Sequence, residues 1–228
     1  MDRIQYYNLT DQVYGILKRR IIGREIQSNK RLDVNGMAAE LGVSRMPVVE
    51  ALARLENDGF VERRNRVGTF VAPVNAKLFE EWLDMRTMIE DWAAPRAVAT
   101  ASVDDFSRLK HLLETGAHML AHADAMNFDF YTFIETYDTG FHKALIALTG
   151  NNQIVEAFGA IHTHARVGRS MIKQIDQLSA SMRSQDWHER ILNALTRRNA
   201  KLLTQEMRAH REESASTTLA MLKQGALA

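Results

Sequence analysis

One aspartate and three histidines in the second half of the chain are residues of the types that bind transition metals. Asp138 and His142 are four residues apart, so they share one face if their segment is helical. His188 and His210 lie on opposite sides of a turn predicted near Arg198, at similar sequence separations from it. At about 1.5 Å per residue, both would lie roughly 15 Å from that turn and level with each other. One carboxylate and three imidazoles suit Zn²⁺, Ni²⁺, Mn²⁺ or Fe²⁺, with room for a water or a ligand oxygen.

The other histidines are interpreted as lying outside this set. His111, His118 and His122 recur at near-helical spacing, and we expect them at the surface. His162 and His164 are two residues apart and cannot share a helix face, so one of them could face the site. Neither is assigned as a ligand. For any single histidine, a surface position or a hydrogen-bonded core position is the alternative interpretation.

Arg86 lies in a mostly apolar run, DMRTMIEDW, and Glu90 follows it four residues later. One interpretation is an ion pair within a helix, worth about 0.2–0.5 kcal/mol. The other is a guanidinium that faces a cavity and binds a carboxylate through two parallel hydrogen bonds. On the second interpretation, Arg86 is a candidate carboxylate-binding residue.

Long helix-compatible stretches follow residue 75, and the chain contains only three prolines. They predict six helices, at residues 77–101, 103–122, 128–149, 151–175, 185–197 and 200–226. The breaks between them are short, and one of them is predicted at residues 177–184. Short connections favour antiparallel neighbours, so the sequence predicts an all-α bundle.

Residues 35–55 predict two short helices joined by a tight turn at Gly42. Apolar residues recur in them at helical spacing: Met37, Ala38, Leu41, Val48, Ala51, Leu52 and Leu55. Ser44 is expected to cap the second helix with its hydroxyl. This is the helix-turn-helix plan, in which the second helix enters the major groove by its N-terminal end, here Ser44, Arg45 and Met46. A helical hairpin inside any α protein is the alternative.

A β-hairpin signal follows directly after these helices. Two short β-like runs, GFVERR and GTFVAP, flank a basic tip at residues 65–68. A helix-turn-helix followed by a basic hairpin is a winged helix, and a further helix is predicted before it at residues 9–22. We expect Arg64, Arg66 and Gly68 of the hairpin to lie against DNA, along the backbone or in the minor groove.

Composition narrows the class of protein further. Hydrophobic residues make up 46% of the 228, as in an ordinary globular protein. No apolar run approaches the roughly 20 residues that cross a membrane, and the N-terminus lacks a signal-peptide pattern, so we expect a cytoplasmic protein with no membrane partner. Cysteine is absent, which excludes disulfides and thiolate metal sites.

Charge is divided unevenly along the chain. Residues 1–73 hold 12 Lys and Arg against 9 Asp and Glu, whereas the remainder holds 17 against 19. A basic first part suits a nucleic-acid-binding unit, although the asymmetry is small. The net charge of +1 argues against a DNA-bending architectural protein, which would be strongly basic.

Together these motifs resemble those of GntR-type bacterial transcription regulators. LGVSR, then PV.EAL..L, then GFV and a hairpin ending in GTFV match the winged helix. The second half resembles the helical, FCD-type effector domain of the FadR-like branch. The matching pieces there are R..IE at 86–90, D..FH at 138–142, TGN at 149–151 and the two late histidines. The likeness spans residues 9–226, nearly the whole chain.

In many members of this branch, an aspartate and three histidines hold a divalent metal. That metal, with a nearby arginine, binds a small carboxylate that controls DNA binding. The resemblance therefore implies the metal-binding role for four residues: Asp138, His142, His188 and His210. It implies an effector-binding role for Arg86.

Four positions depart from the family pattern. Val49 stands where an arginine that reads DNA is usual, and Met46 replaces a usual threonine. These two changes imply a different operator or weaker binding. Asn29 replaces a turn glycine, and Asn tolerates a left-handed backbone, so the turn should persist. Val67 replaces a frequent basic residue of the wing.

These observations predict a mostly α protein with three parts. Residues 1–73 form a winged helix-turn-helix domain, 74–77 a linker, and 78–228 an all-helical effector-binding and dimerisation domain. We expect a homodimeric repressor that binds a near-palindromic double-stranded DNA operator and is controlled by a small organic acid at a divalent metal. The alternatives are a metal-free regulator of a bulky ligand such as an acyl thioester, and a metal-dependent hydrolase.

Overall fold

The computed structural model describes residues 9–124, 128–170 and 176–224. The chain divides into two compact units, Met1–Pro73 and Val74–Ala228. Helices predominate in both, and the strands of the described residues form a two-stranded antiparallel sheet in the first unit. The predicted fold class, a winged helix followed by a helical bundle, is confirmed.

The first unit begins with three helices: α1 (Leu9–Ile22), α2 (Val34–Leu41) and α3 (Arg45–Asn57). Helix α2 begins after Asp33, whose side chain accepts a hydrogen bond from the backbone N–H of Asn35, and it ends at Gly42 with φ of 66°. The left-handed backbone at Gly42 permits the tight turn into α3. Ser44 occupies the N-cap position of α3, but its side chain forms no capping hydrogen bond. That part of the Ser44 prediction is therefore wrong.

The apolar faces of these helices meet in one core. Residues buried in it include Val13, Leu17, Ile21, Val48, Ala51, Leu52 and Leu55. Burial of each large aliphatic side chain contributes about 1.5–3 kcal/mol relative to its exposure. Because this core holds the inner face of α3, the outer face of its first turn is left at the surface.

The wing is an antiparallel hairpin of β1 (Val61–Arg64) and β2 (Gly68–Val71). Its register pairs Val61 with Val71 and Arg64 with Gly68. The backbone before α2 also pairs with β2, since Leu32 N–H donates to the carbonyl of Thr69 at 2.9 Å. Asn29 in that segment has φ of 60°, so the left-handed turn expected there is present. These bonds tie the hairpin to the helices.

The second unit is a bundle of seven α-helices among its described residues. They are α4 (Ala76–Thr100), α5 (Val103–Ala121), α6 (Phe130–Phe133), α7 (Thr139–Ala147), α8 (Asn152–Ser170), α9 (Gln177–Thr196) and α10 (Ala200–Lys223). Helix α10 packs against α4 and α9, α4 against α8, and α5 against α9. No helix of the described residues is both long and apolar enough to span a membrane.

Two details of the bundle differ from the sequence prediction. The predicted helix 128–149 is not uniform, because a π-helical segment, Ile134–Asp138, separates α6 from α7. The break predicted at 177–184 is wrong, since α9 already begins at Gln177, after the N-cap Asp176. Residues 125–127, where another break was predicted, lie outside the described residues. So do 171–175 and 225–226, the predicted ends of two helices.

Candidate metal centre and DNA-binding face

The four predicted metal ligands lie together in the interior of the second unit. Asp138 ends the π-helical segment, His142 lies on α7, His188 on α9 and His210 on α10. All four side chains are at most 1% exposed. The helical bundle thus brings together, in one buried cluster, residues that are far apart in the sequence.

Distances within this cluster match the size of a metal-binding site. The Nε2 atoms of His142 and His188 are 3.0 Å apart. One ring nitrogen from each of His142, His188 and His210 lies within 4.8 Å of the others. The nearer carboxylate oxygen of Asp138, Oδ1, is 4.0 Å from His188 Nε2. Since metal–nitrogen bonds are about 2.0–2.1 Å long, three nitrogens at these separations fit around one ion.

Electrostatics keep His142 in the form that binds metal. Burial lowers the pKa of His142 well below its usual value, and the neighbouring His162 and Arg86 lower this pKa further. The ring is therefore neutral near pH 7, with a lone pair available on nitrogen. Its Nδ1 has no hydrogen-bond partner among the described residues. An unpaired polar atom on a neutral, buried imidazole is the kind of group that a metal site contains.

The π-helical segment presents two consecutive side chains to the centre, Tyr137 and Asp138. Both are fully buried, and the Tyr137 hydroxyl lies 2.6 Å from His188 Nδ1. With Nε2 of His188 bound to a metal, Nδ1 would carry the proton and donate a hydrogen bond to the Tyr137 hydroxyl. Such a bond fixes the orientation of a ligating ring. Sequence reasoning missed Tyr137, since a π-helical turn has no clear sequence signature.

His162, which the sequence analysis did not assign, also lies in this cluster. It is fully buried on α8, and its Nε2 is 2.8 Å from Asp138 Oδ2. His164 instead stacks on Trp82, with ring centroids 5.0 Å apart. The two-residue spacing of this pair already showed that only one of them could face the site. It did not show which one.

Arg86 is buried as well, at 2% exposure, close to the histidines. Its Nε donates to Glu90 Oε1 at 2.6 Å, and the other oxygen of Glu90 accepts a hydrogen bond from Arg211. The intrahelical ion pair considered from the sequence is therefore present. Arg86 Nη2 nevertheless has no partner in the described part of the chain. Arg211 also lies 4.0 Å from the Asp91 carboxylate, so two guanidinium groups and two carboxylates meet here.

A polar cavity of about 390 Å³ lies between α9 and α10. Its lining includes Arg183, Trp187, Glu213 and, at its buried end, Ser184. The Ser184 hydroxyl is 3.3 Å from Asp138 Oδ1 and 3.4 Å from His188 Nε2. Ser184 thus connects the wall of this cavity to the candidate metal centre.

In the first unit, the predicted DNA-contacting residues differ in their surroundings. Ser44, Arg45 and Met46 are exposed at the start of α3, and Arg66 is exposed at the tip of the hairpin. Arg64 contacts its own unit instead, because it donates hydrogen bonds to Glu62 at 2.6 Å and to Asn29 at 2.8 Å.

Gly68 has a conformational role in the hairpin. Its φ is 136°, which side-chain-bearing residues rarely adopt, and a Cβ there would lie 3.0 Å from Arg31 Nε. Gly68 therefore shapes the wing, whichever groups contact DNA.

Comparison with known proteins gives a separate match for each of the two units. The description "Bacterial regulatory proteins, gntR family" matches residues 9–71, and the FCD domain matches residues 81–213. The gluconate operon transcriptional repressor of Bacillus licheniformis is 31% identical over 156 residues, which cover 66% of this chain and 63% of that protein. The chain thus spans just under two thirds of that repressor.

Two further similarities extend over more of the chain. The gluconate operon transcriptional repressor of Bacillus subtilis (strain 168) is 27% identical over 195 residues, covering 84% of this chain and 77% of that protein. The solved structure of E. coli McbR/YncC has a TM-score of 0.73 and covers 95% of this chain and 98% of its own, at 20% identity. At that identity the second similarity shows the fold alone.

A winged helix and a helical unit with a buried cluster of donor groups define a DNA-binding transcription regulator. The FCD match alone covers more than half of the chain. The chain belongs to the GntR family of bacterial transcription regulators and carries an FCD domain, consistent with the FadR-like branch. The family expected from the sequence is confirmed.

Proposed function

We propose that this GntR-family regulator is a homodimeric, cytoplasmic repressor whose operator affinity depends on a divalent metal and a small organic acid. The buried cluster of Asp138, His142, His188 and His210 is the observation that carries the proposal. Ring nitrogens of His142, His188 and His210 lie within 4.8 Å of one another, and Asp138 Oδ1 lies 4.0 Å from His188 Nε2. A divalent cation among them would be held by three imidazoles and one carboxylate.

The donor chemistry favours a metal of intermediate softness. Three neutral imidazoles and one carboxylate suit Zn²⁺, Ni²⁺, Mn²⁺ or Fe²⁺ and do not suit Ca²⁺, which prefers oxygen donors. The protein residues would supply four ligands and leave a position for an oxygen of the effector. When bound, the ion would supply a positive charge that attracts an anionic ligand.

The proposed effector is a small carboxylate. Arg86 offers it an unpaired Nη2, and a guanidinium N–H forms a strong, charge-assisted hydrogen bond with a carboxylate. The polar cavity that ends at Ser184 offers a route for it. Two relatives are named as repressors of gluconate operons, so sugar acids are the first compounds to test.

The proposed regulation links two sites in one chain. Operator contacts would come from Arg45, which would reach base edges in the major groove, with guanine as the default partner. Ser44 and Arg66 would bind phosphates and add affinity without sequence selectivity. An effector shifts this binding only if its affinity differs between the DNA-bound and free states of the protein.

The test compares the wild-type protein with His210→Ala and with a matched control, His118→Ala, which removes an exposed histidine. Elemental analysis after gentle purification should give about one metal ion per chain for the wild type and the control. His210→Ala should retain little metal, since one of four ligands is gone.

Operator binding is measured on duplexes selected from a random DNA pool, with and without sugar acids. Sugar acids should change the affinity of the metal-loaded wild type and of His118→Ala, and should have little effect on His210→Ala. Wild-type metal content in His210→Ala would exclude that residue as a ligand. A metal-free wild type that still responds to a bulky acyl thioester would replace this proposal with the metal-free alternative.

A further inference from the structure

We propose that His162 is a positioning residue of the metal centre, which holds the Asp138 carboxylate in the orientation that binds the ion. This inference rests on the proposed metal-binding function. It concerns a histidine outside the four-ligand set. His162 lies on α8, an element that supplies none of those four ligands.

The two oxygens of Asp138 face different partners. Oδ1 lies 3.3 Å from the Ser184 hydroxyl and 4.0 Å from His188 Nε2, on the side of the other donors. Oδ2 lies 2.8 Å from His162 Nε2. One oxygen is therefore directed towards the candidate metal position and the other towards α8.

The direction of this hydrogen bond shows that Nε2 of the His162 ring carries a proton. A carboxylate accepts hydrogen bonds and donates none, so His162 Nε2 must carry the proton. A protonated Nε2 has no lone pair for a metal. The same atom therefore orients Asp138 and does not itself bind the ion.

Such a bond matters because it holds the Asp138 carboxylate in one orientation. The carboxylate can rotate about its side-chain torsions, and a fixed partner on Oδ2 removes that freedom before the metal arrives. Groups that orient metal ligands in this way typically contribute 10–100-fold to metal affinity. The bond also satisfies a charged group that is completely buried.

The experiment titrates the full-length, metal-free protein with Co²⁺ and follows both affinity and the visible absorption bands. His162→Leu removes the N–H donor, whereas His162→Gln can place an amide N–H near the position of Nε2. His164→Gln is the matched control on the same helix, since His164 stacks on Trp82 away from the cluster. Circular dichroism checks that each variant is folded.

We expect His162→Leu to weaken Co²⁺ binding about 10–100-fold. His162→Gln should keep most of the Co²⁺ affinity that His162→Leu loses. His164→Gln should bind Co²⁺ like the wild type. At saturation all variants should keep the wild-type band positions, because the ligands are unchanged. A double variant, Asp138→Ala with His162→Leu, should bind no more weakly than Asp138→Ala alone, because His162 acts through Asp138.

Several outcomes would overturn the inference. Unchanged affinity in His162→Leu, or losses that add in the double variant, would remove the positioning role. Shifted absorption bands in His162→Gln would show that His162 is a ligand instead. If His162→Leu does not fold, His162→Ala takes its place as the variant without an N–H donor, and it is compared with His162→Gln in the same way. A wild-type protein that binds no Co²⁺, Zn²⁺ or Ni²⁺ would overturn the proposed metal site together with this role.

Discussion

At the scale of single residues, spacing in the sequence predicted which donor groups lie together better than it predicted the residues that contact them. Asp138 and His142 could be paired from their spacing, because a helix places residues four apart on one face. Tyr137 and His162 could not be found in this way. Their roles depend on which face of a neighbouring helix turns inward, and packing between helices decides that. Local periodicity carries no such information.

Protonation of His142 provides a prediction at the same scale. Burial and the charges of His162 and Arg86 lower the pKa of His142 in the folded protein, whereas the unfolded chain titrates near the ordinary value of 6.5. Below that pH the unfolded state binds more protons, so the metal-free fold should lose stability as pH falls. One such group contributes at most about 1.4 kcal/mol per pH unit.

Urea unfolding of the metal-free protein between about pH 8 and about pH 5.5 measures how its stability depends on pH. His142→Gln should show a weaker dependence on pH than the wild type. His118→Gln, which removes an exposed histidine, should match the wild type. Equal slopes for all three proteins would show that His142 does not titrate as described.

At the scale of elements, helix α3 could be predicted and the start of α9 could not. The α3 segment has large aliphatic residues at helical spacing and Gly59, with φ of 75°, just after its end. The first turns of α9 read QLSASMRS, and serine-rich sequence is more typical of loops. Tertiary packing overrides this preference, since Ala180, Ser181 and Ser184 are buried in the bundle.

The exposed start of α3 leads to a prediction about DNA binding. Arg45→Ala should weaken binding to a selected operator by about 10–100-fold, because a two-bond contact to guanine contributes about 1–3 kcal/mol. Metal content and oligomeric state should not change, since Arg45 belongs to the first unit. Fluorescence anisotropy at fixed salt measures the affinity. Arg108→Ala removes the same charge from an exposed position of the second unit and serves as the control.

The two arginines of the wing offer a second comparison within this experiment. Arg66 is exposed at the tip, so Arg66→Ala should weaken binding on all sequences alike and make it less dependent on salt. Arg64 is held by Glu62 and Asn29, so Arg64→Ala should act mainly by loosening the hairpin.

An operator affinity of Arg45→Ala equal to that of the wild type would refute the role given to α3.

At the scale of the whole molecule, composition indicated two units before any contact was known. The charge balance changes sign after residue 73, and short β-like runs give way to long helix-compatible stretches. The homodimer is a proposal that follows from how winged helices bind DNA, since a protein with two-fold symmetry matches two half-sites of an operator.

A comparison of operators with one and two half-sites tests that proposal. A symmetric dimer places two recognition helices on one duplex, so one dimer binds both half-sites together. We expect an inverted-repeat duplex to bind at least about 100-fold more tightly than a duplex of equal length with one half-site scrambled, since tethering two binding events typically gains 10²–10⁴-fold. Changing the distance between the half-sites by half a turn of the DNA duplex should abolish the gain in affinity. A change of one full turn should restore part of that gain. Equal affinity for one and two half-sites, together with a monomer mass in analytical ultracentrifugation, would contradict a dimeric repressor while leaving the metal centre untouched.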